Sequence, residues 1–220
     1  MKVACVIPAY NVKEHLPTVV AELQNLVDEI VVVNDCSTDG TGELATTLPV
    51  NLLHHSINRG QGAALKTGTQ YALEKGADVI IHFDGDGQFR SEDIPIVLSP
   101  LRSDEADIVF GSRFLNKTTD LPFLKRYIIM PLARFINWLF FNITLTDPQS
   151  GFRAMNKKAA LLINWQQDRM AHCNEILILA HKKPLRIVEV PITVLYKHFG
   201  QRFSGGIKIL RDLFFAHLNK

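Results

Sequence analysis

The sequence predicts an α/β domain built around a mostly parallel sheet with helices on both faces. Short apolar runs rich in β-branched residues alternate five times with segments of helical periodicity, which is typical of strand–helix–strand units. Polar residues follow each apolar run. The chain has 220 residues, 47% hydrophobic and 21% charged, enough to bury the core of one domain spanning residues 1–220.

The first part of the chain predicts three strands and two helix starts. Residues 2–7 have the apolar pattern of a buried strand. A helix is expected over 14–26, where apolar residues recur at helical spacing. The run Ile30–Val33 predicts a second strand. Residues 34–40 are rich in N-cap residue types and should lead into a helix. A third strand is expected around Val50–His54.

Two further strand units follow. A helix is expected from the Gly60–Gly62 region to about Lys75, and Val79–Ile81 predicts the fourth strand. A helix near Asp93–Leu101 then leads to a fifth strand at Ile108–Phe110. Because parallel strands joined by helices end at one edge of the sheet, the residues that follow each strand should lie together.

Charge and cysteine content restrict the classes of function. The net charge is +2, so we expect no nucleic-acid binding, although the basic residues cluster after residue 110. Cys5, Cys36 and Cys173 are odd in number and lack metal-ligand spacing, which favours reduced thiols in the cytosol. The opening apolar run is too short for a signal peptide. These features predict a cytoplasmic protein.

The strongest chemical motif is the pair of aspartates that follows the fourth strand. Asp84 and Asp86 are two residues apart, so in an extended segment their side chains point the same way. Two convergent carboxylates repel each other unless a cation lies between them, and Mg²⁺ or Mn²⁺ prefers oxygen ligands. A nucleotide diphosphate would complete the shell. The sequence therefore predicts a divalent metal site here.

Two other interpretations of this motif remain open from the residues alone. The aspartate pair and Gly87 match the third, fifth and sixth places of an EF-hand loop, but His82 and Asp93 would occupy its first and last places. The element before the motif also reads as a strand rather than a helix. The second interpretation is an ordinary turn, because Asp and Gly favour turns for local reasons.

Polar residues recur at the ends of successive predicted strands, which predicts a ligand cleft along one sheet edge. Gly60-x-Gly62 also matches part of a dinucleotide-binding motif, but Leu65 occupies the third glycine position and the motif follows the third strand. The strand-end residues are Tyr10, Asn11, Asp35, Arg59, Asp84, Asp86 and Arg113.

Five motifs in this order resemble those of family 2 glycosyltransferases, and within that family the polyprenyl-phosphate sugar transferases, including dolichyl-phosphate mannose synthase. The resemblance extends from residue 1 to about residue 212. The motifs are Ile7–Asn11, Val33–Thr41, Asp84–Gln88, Gly111–Arg113 and Asp147–Arg153.

The resemblance implies a GT-A fold and an inverting, metal-dependent transfer of a hexose from a nucleotide diphosphate sugar to a polyprenyl phosphate. It also implies roles for individual residues. Those lining the nucleotide would include Pro8, Tyr10 and Asp35, with Asn11 and Arg59 at the same strand ends; Asp84, Asp86 and Gln88 would hold Mg²⁺ or Mn²⁺; Arg113 and Arg126 would contact the acceptor phosphate.

The chain departs from the family pattern at three places. Val12 stands where the family usually has Glu, and the usual second-strand aspartate pair is Asn34–Asp35. The closing basic motif is shifted within 197–204, so Lys197 and Arg202 are both candidates for contact with the diphosphate.

The acceptor determines whether a general base is needed. A phosphate monoester is already mostly ionised near neutral pH and needs orientation by arginines rather than deprotonation. A hydroxyl acceptor on a sugar or protein needs a base, for which Asp147 is the candidate. Arg134 and Arg153 are further phosphate-binding candidates, and Arg153 has a second interpretation, in which it holds the loop that carries Asp147.

Two segments, 125–145 and 204–220, predict amphipathic helices that either face a membrane or pack on the domain. Pro131 and Arg134 interrupt the first, and the second is short and charged, so both favour an interfacial helix over a spanning one. We therefore expect a peripheral protein on the cytosolic face of a membrane, with a membrane-anchoring partner protein as an open possibility.

Two residues near the predicted site have no assigned role. His82 precedes the aspartates, and its side chain points either to the ligand or into the core. Glu175 lies at the start of a predicted helix and is a candidate for a second site. Two other functional classes also remain: a non-catalytic nucleotide-sugar-binding protein, and a nucleotidyltransferase. The latter usually carries a glycine-rich, lysine-bearing loop near its first strand, which residues 8–11 lack.

Overall fold

Strand β1, Val3–Ala9, lies inside the sheet, and six of its seven residues are buried because helices cover both of its faces. The structure is a computed structural model and describes residues 1–115 and 145–195. The other strands are β2 Glu29–Asn34, β3 Asn51–His54, β4 Val79–His82, β5 Ile108–Ser112, β6 Arg153–Asn156 and β7 Ile187–Pro191.

The helices alternate with the strands through most of the described chain. A 3₁₀ turn, Ser91–Asp93, precedes the fourth helix. The helices are α1 Leu16–Leu23, α2 Thr41–Ala45, α3 Gln61–Glu74, α4 Ile94–Arg102, α5 Lys157–Leu162 and α6 His172–Lys182.

The seven strands form one sheet in the order β3-β2-β1-β4-β6-β5-β7. Six strands run in one direction, and β6 runs antiparallel to its neighbours β4 and β5. The carboxyl ends of the six co-directional strands form one edge of the sheet, here called the carboxyl edge, and their amino ends form the amino edge.

The core consists of two apolar layers, one on each face of the sheet. Alternate residues of β1 enter opposite layers: Cys5 and Ile7 face the layer that includes α1 and α4, whereas Ala4 and Val6 face the layer that includes α3, α5 and α6. This alternation follows from the two-residue period of a strand. The loops at the carboxyl edge are thereby anchored on a rigid two-sided core.

The predicted mostly parallel α/β fold is confirmed, with differences of detail. All five predicted strands are present, but α1 begins and ends inside the predicted 14–26 helix. The strands β6 and β7 were not predicted. For β6 the reason is its composition, because it carries Arg and Asn instead of β-branched residues. A strand precedes the aspartate motif, so the EF-hand interpretation is wrong.

Several predictions fall outside the described residues. They concern the amphipathic segments 125–145, apart from residue 145, and 204–220, together with Arg126, Arg134, Lys197 and Arg202. In the two stretches that the structure describes, no helix combines the length and apolar character needed to cross a bilayer.

Candidate functional site

The loop that carries Asp84 and Asp86, here called the aspartate loop, leaves the carboxyl edge directly after β4. Phe83 anchors it: its backbone nitrogen donates to the Val6 carbonyl at 3.1 Å, and its ring packs edge-on against Phe89 and Phe152. Within the loop, the backbone nitrogen of Gln88 donates to Asp86 Oδ1 at 3.0 Å. The loop brings Asp86 near enough to Asp84 at the end of the central sheet for its charge to act on the Asp84 carboxyl.

The electrostatics of Asp84 differ from those of an ordinary surface carboxylate. Burial raises its pKa, and the neighbouring negative charge of Asp86 raises it further, to about 7. Gln61 Nε2 donates to Asp84 Oδ1 at 2.6 Å. Within residues 1–115 and 145–195, neither aspartate forms an ion pair. The pair therefore combines two repelling charges with no bound counter-ion from the described chain.

These properties fit a divalent cation for which the protein supplies only some of the ligands. Among the described residues, no three His, Cys, Asp or Glu side chains come together as a complete metal cage. Two carboxylates leave room for oxygen ligands from a diphosphate, as is common for Mg²⁺ sites. Gly151 allows the chain to pass the Asp84 carboxylate closely, because a Cβ there would lie 2.9 Å from Oδ2.

Asp35, at the end of β2, organises the neighbouring loop. Its Oδ1 accepts from the Arg59 backbone nitrogen at 2.9 Å and from His55 Nδ1 at 2.7 Å, and Oδ2 accepts from the Gly60 backbone nitrogen at 2.7 Å. Burial favours the protonated acid, but these hydrogen bonds outweigh it and lower the pKa of Asp35. Asp35 is thus a buried anion that ties the loop carrying Arg59 and Gly60 to the end of β2. The contact of Asp35 with a nucleotide stays a prediction.

The other predicted nucleotide-binding residues lie at the same edge. Pro8 lies in β1, and the Tyr10 side chain that follows is 51% exposed. Asn11 adopts a positive φ of 54°, and its Oδ1 accepts from the Thr38 backbone nitrogen at 2.9 Å. The exposed Arg59 guanidinium is 3.9 Å from Asp168 Oδ1. Tyr10 is available for contact with a ligand.

Arg113 and Asp147 form a paired unit at the end of β5. Arg113 Nε and Nη2 donate to the two Asp147 oxygens at 2.6 and 2.7 Å, and Asp147 is fully buried. Glu189 on β7 accepts from the backbone nitrogens of Thr146 and Asp147 at 2.8 to 2.9 Å. This geometry argues against Asp147 as a general base, because its oxygens already bind the guanidinium.

A buried polar cluster beneath the aspartate loop was only partly anticipated from sequence. Arg153 is fully buried and donates to the Ser150 carbonyl at 3.1 Å and to Cys173 Sγ at 3.2 Å, which supports its structural interpretation. Burial raises the pKa of the Cys173 thiol, but His172 and Arg153 outweigh this effect and lower it to about 6. His82 is also buried, and its Nε2 lies 2.9 Å from Thr69 Oγ1. It therefore points into the core.

Glu175 and the glycines near α3 have a shared explanation that the sequence did not reveal. Glu175 Oε2 accepts from the backbone nitrogens of Gln166 and Gln167 at 2.9 and 2.7 Å, which shapes the loop over residues 165–168. That loop packs on the first turn of α3, where a Cβ at Gly60 would lie 2.6 Å from the Asp168 carbonyl oxygen. A Cβ at Gly62 would likewise meet the Gln167 carbonyl oxygen. Gly60 and Gly62 thus allow the loop to pack closely on α3.

Comparison with known proteins identifies the family to which the chain is similar. The family model described as glycosyl transferase family 2 matches residues 4–161. The chain is 34% identical to the UDP-N-acetylglucosamine–dolichyl-phosphate N-acetylglucosaminyltransferase of Methanococcus voltae, over 98% of this chain and 96% of that protein. It is 32% identical to the undecaprenyl-phosphate mannosyltransferase of Micrococcus luteus, over 94% of this chain and 89% of that protein.

A solved structure shows the same fold. Glucosyl-3-phosphoglycerate synthase from Mycobacterium tuberculosis, in complex with Mn²⁺, UDP and glucosyl-3-phosphoglycerate, superposes with a TM-score of 0.73 at 17% identity, over 96% of this chain and 76% of that one. The predicted GT-A fold and the predicted glycosyltransferase activity class are confirmed. On the strength of a family match that spans most of its length, the chain belongs to glycosyl transferase family 2.

Proposed function

We propose that this glycosyltransferase moves a hexose or a hexose derivative from a nucleotide diphosphate sugar to a polyprenyl phosphate. The observation that carries the proposal is the Asp84–Asp86 pair at the carboxyl edge, which forms no ion pair with the residues that the structure describes. The pair shares that edge with an arginine oriented by Asp147. The named activities of the M. voltae and M. luteus relatives, both of which use a lipid phosphate, support this acceptor class.

Asp84 and Asp86, with Gln88, would hold Mg²⁺ or Mn²⁺ in this proposal. When bound, the cation neutralises the growing charge of the departing diphosphate. The chain's own residues bind and orient the donor: Tyr10 offers an exposed ring, and Asp35 fixes the loop that carries Arg59. The remaining proposed nucleotide-sugar contacts are Pro8, Asn11, Lys197 and Arg202.

The acceptor side favours a phosphate nucleophile. Arg113 is held in a two-point ion pair with Asp147, which fixes the direction of its planar guanidinium. A guanidinium in a fixed direction is a suitable positive charge beside phosphate oxygens. A phosphate monoester needs no general base at neutral pH. The engagement of Asp147 is therefore compatible with a phosphate acceptor, whereas a hydroxyl acceptor would need a carboxylate that can accept a proton. Arg126 is proposed as the second phosphate contact.

The lipid acceptor implies a place for the enzyme at a membrane surface. We propose peripheral binding on the cytosolic face through the segments 125–145 and 204–220, whose composition predicts amphipathic helices. A membrane-anchoring partner protein is an additional possibility that the same assay can address, because activity with pure lipid vesicles would make a partner unnecessary.

The decisive test is transfer of radiolabelled sugar into an organic-extractable lipid. The purified full chain would be incubated with polyprenyl phosphate in vesicles, Mn²⁺ or Mg²⁺, and a panel of UDP- and GDP-linked sugars. The relatives use different sugars by name, so the panel must include N-acetylglucosamine, mannose and glucose donors. We expect one donor to label the lipid, and the label to disappear with a chelator or with Asp86→Asn.

The assay also identifies failure. Hydrolysis or binding of a donor that depends on metal, without labelled lipid, would overturn the lipid-phosphate acceptor and leave a hydroxyl acceptor as the alternative. Binding of a donor without any turnover on lipid or sugar acceptors would instead indicate a non-catalytic nucleotide-sugar-binding protein.

A further inference from the structure

Gln61 lies at the first position of α3 and reaches across to the aspartate loop. Its Nε2 is 2.6 Å from Asp84 Oδ1, and the two residues are 23 positions apart in the chain. Among the side chains of residues 1–115 and 145–195, Gln61 is the one that hydrogen-bonds to the Asp84 carboxylate. A neutral amide donor fixes the direction of a carboxylate without placing a positive charge beside it.

The start of α3 is held rigidly, which makes Gln61 a fixed donor. On its amino side, the Gly60 backbone nitrogen donates to Asp35 Oδ2 at 2.7 Å. On its carboxyl side, Trp165 Nε1 donates to the Gly62 carbonyl at 2.9 Å, and the Ala63 backbone nitrogen donates to the Asp168 carbonyl at 3.0 Å. The residues on both sides of Gln61 are therefore tied to separate parts of the fold.

The backbone at Gly151 also approaches the Asp84 carboxylate closely. A Cβ on Gly151 would lie 2.9 Å from Oδ2 and 3.3 Å from Oδ1, so the chain at Gly151 closes one side of the carboxylate while Gln61 bonds to Oδ1. The carboxylate thus has a defined orientation before any ligand binds. Pre-orientation of this kind is what outer-shell partners supply to metal ligands.

We propose that Gln61 is a positioning residue for the metal site, which orients Asp84 toward a divalent cation without touching the reacting atoms. The proposal rests on the proposed function, because it takes Asp84 as a metal ligand. It goes further by assigning a role to a residue outside the aspartate motif. Loss of an outer-shell partner typically lowers metal affinity by roughly 10- to 100-fold.

The test measures Mn²⁺ binding directly by electron paramagnetic resonance of free Mn²⁺, with Mn²⁺ alone and with UDP or GDP added. Gln61→Leu keeps the size of the side chain and removes the donor. Its matched control is Gln70→Leu, which makes the same change in the same helix at an exposed glutamine that contacts Glu74. We expect Mn²⁺ affinity to fall by roughly 10- to 100-fold in Gln61→Leu and to stay unchanged in Gln70→Leu.

Turnover separates a positioning role from a merely structural one. In Gln61→Leu the Mn²⁺ concentration needed for half-maximal transfer should rise, whereas kcat at saturating Mn²⁺ and the melting temperature without metal should stay close to those of the wild type. Gln61→Ala, paired with Gln70→Ala, gives the same comparison with a smaller side chain if the leucine variant does not fold.

Three results would have distinct meanings. Wild-type Mn²⁺ affinity in folded Gln61→Leu and Gln61→Ala, with loss of binding in Asp86→Asn, would overturn the role of Gln61 and leave the metal site in place. No Mn²⁺ binding by the wild type with either nucleotide would overturn the proposed metal site itself. Weakened binding confined to the Gln61 variants and Asp86→Asn supports both.

Discussion

Two buried or partly buried acidic sites lie at opposite edges of the same sheet and have opposite electrostatics. At the amino edge, Asp107 precedes β5 and is nearly fully buried. Arg186, Lys158 and Asn156 all donate to its carboxylate at 2.8 to 3.3 Å. At the carboxyl edge, Asp84 accepts from the Gln61 amide and has the Asp86 carboxylate as its neighbour.

The pKa shifts of the two aspartates show the consequence. Hydrogen bonds and ion pairs with Arg186 lower the pKa of Asp107 despite its burial, whereas burial and Asp86 raise the pKa of Asp84 to about 7. A satisfied buried charge joins strands together, and an unsatisfied one is suited to bind something from outside. The contacts of Asp107 assign it to the scaffold, whereas the environment of Asp84 supports its proposed role as a metal ligand.

The largest effect is expected from Asp86→Asn on catalysis. Loss of one carboxylate weakens the hold on the cation that stabilises the leaving diphosphate, a contribution of several kcal/mol. Sugar transfer to lipid should fall by about a thousandfold, while the far-ultraviolet circular dichroism and melting temperature stay near the wild-type values. Comparable transfer by Asp86→Asn and wild type would contradict the assignment.

The second effect is expected from Asp107→Asn on stability. The amide cannot accept the same charged hydrogen bonds from Arg186 and Lys158, so the free energy of unfolding should fall by about 2 kcal/mol. Urea unfolding measures this change. The specific activity of the folded variant should remain, because the amino edge is remote from the aspartate loop; a loss of activity in fully folded protein would show that the two edges are not separable.

A third and smaller effect is expected from Gly151→Ala. The new Cβ would meet the Asp84 carboxylate at 2.9 Å. The carboxylate would have to turn away from its Gln61-bonded orientation, but no backbone atom is displaced, so the fold should tolerate the change. The displaced ligand should raise the Mn²⁺ concentration required for half-maximal transfer by about tenfold. An unchanged Mn²⁺ requirement in folded protein would mean that the orientation of Asp84 does not matter.

The smallest effect concerns pH and the amino edge. The folded-state pKa of Asp107 is lower than its unfolded value of about 3.9. Asp107 therefore contributes stability above about pH 4, and this contribution is lost as the pH falls through its folded-state pKa. The difference in unfolding free energy between wild type and Asp107→Asn should be constant from about pH 7 to pH 5 and shrink below about pH 4. A difference that grows in acid would contradict the sign.

Much of this contrast could be anticipated from sequence, and part of it could not. The strand pattern and the two-residue spacing of Asp84 and Asp86 were sufficient to predict the sheet and the carboxylate pair at its carboxyl edge. The role of Asp107 was not predictable, because its partner Asn156 lies at the end of β6 and Arg186 directly precedes β7, and neither strand was predicted from the sequence.

The same limit applies to the partners within the site. Arg113 was selected by its motif, but the burial of Asp147 and its ion pair with Arg113 depend on how 145–147 returns to β5 and β7. Gln61 and Glu175 act through contacts with Asp84 and with the 165–168 loop. Such contacts join distant segments, and no local pattern in a single sequence encodes them.

The measurement that tests the central claim most directly is the melting temperature of three proteins with and without Mn²⁺ plus a nucleoside diphosphate, UDP and GDP in turn. A ligand at about 100 times its dissociation constant adds about 2.7 kcal/mol of stability, which corresponds to roughly 5 °C or more for a domain of this size. We predict this rise in the wild type and, from a lower starting temperature, in Asp107→Asn, and no rise in Asp86→Asn. An equal rise in Asp86→Asn, or no rise in the wild type with either nucleotide, would contradict the claim that the carboxyl-edge aspartates form the metal and diphosphate site.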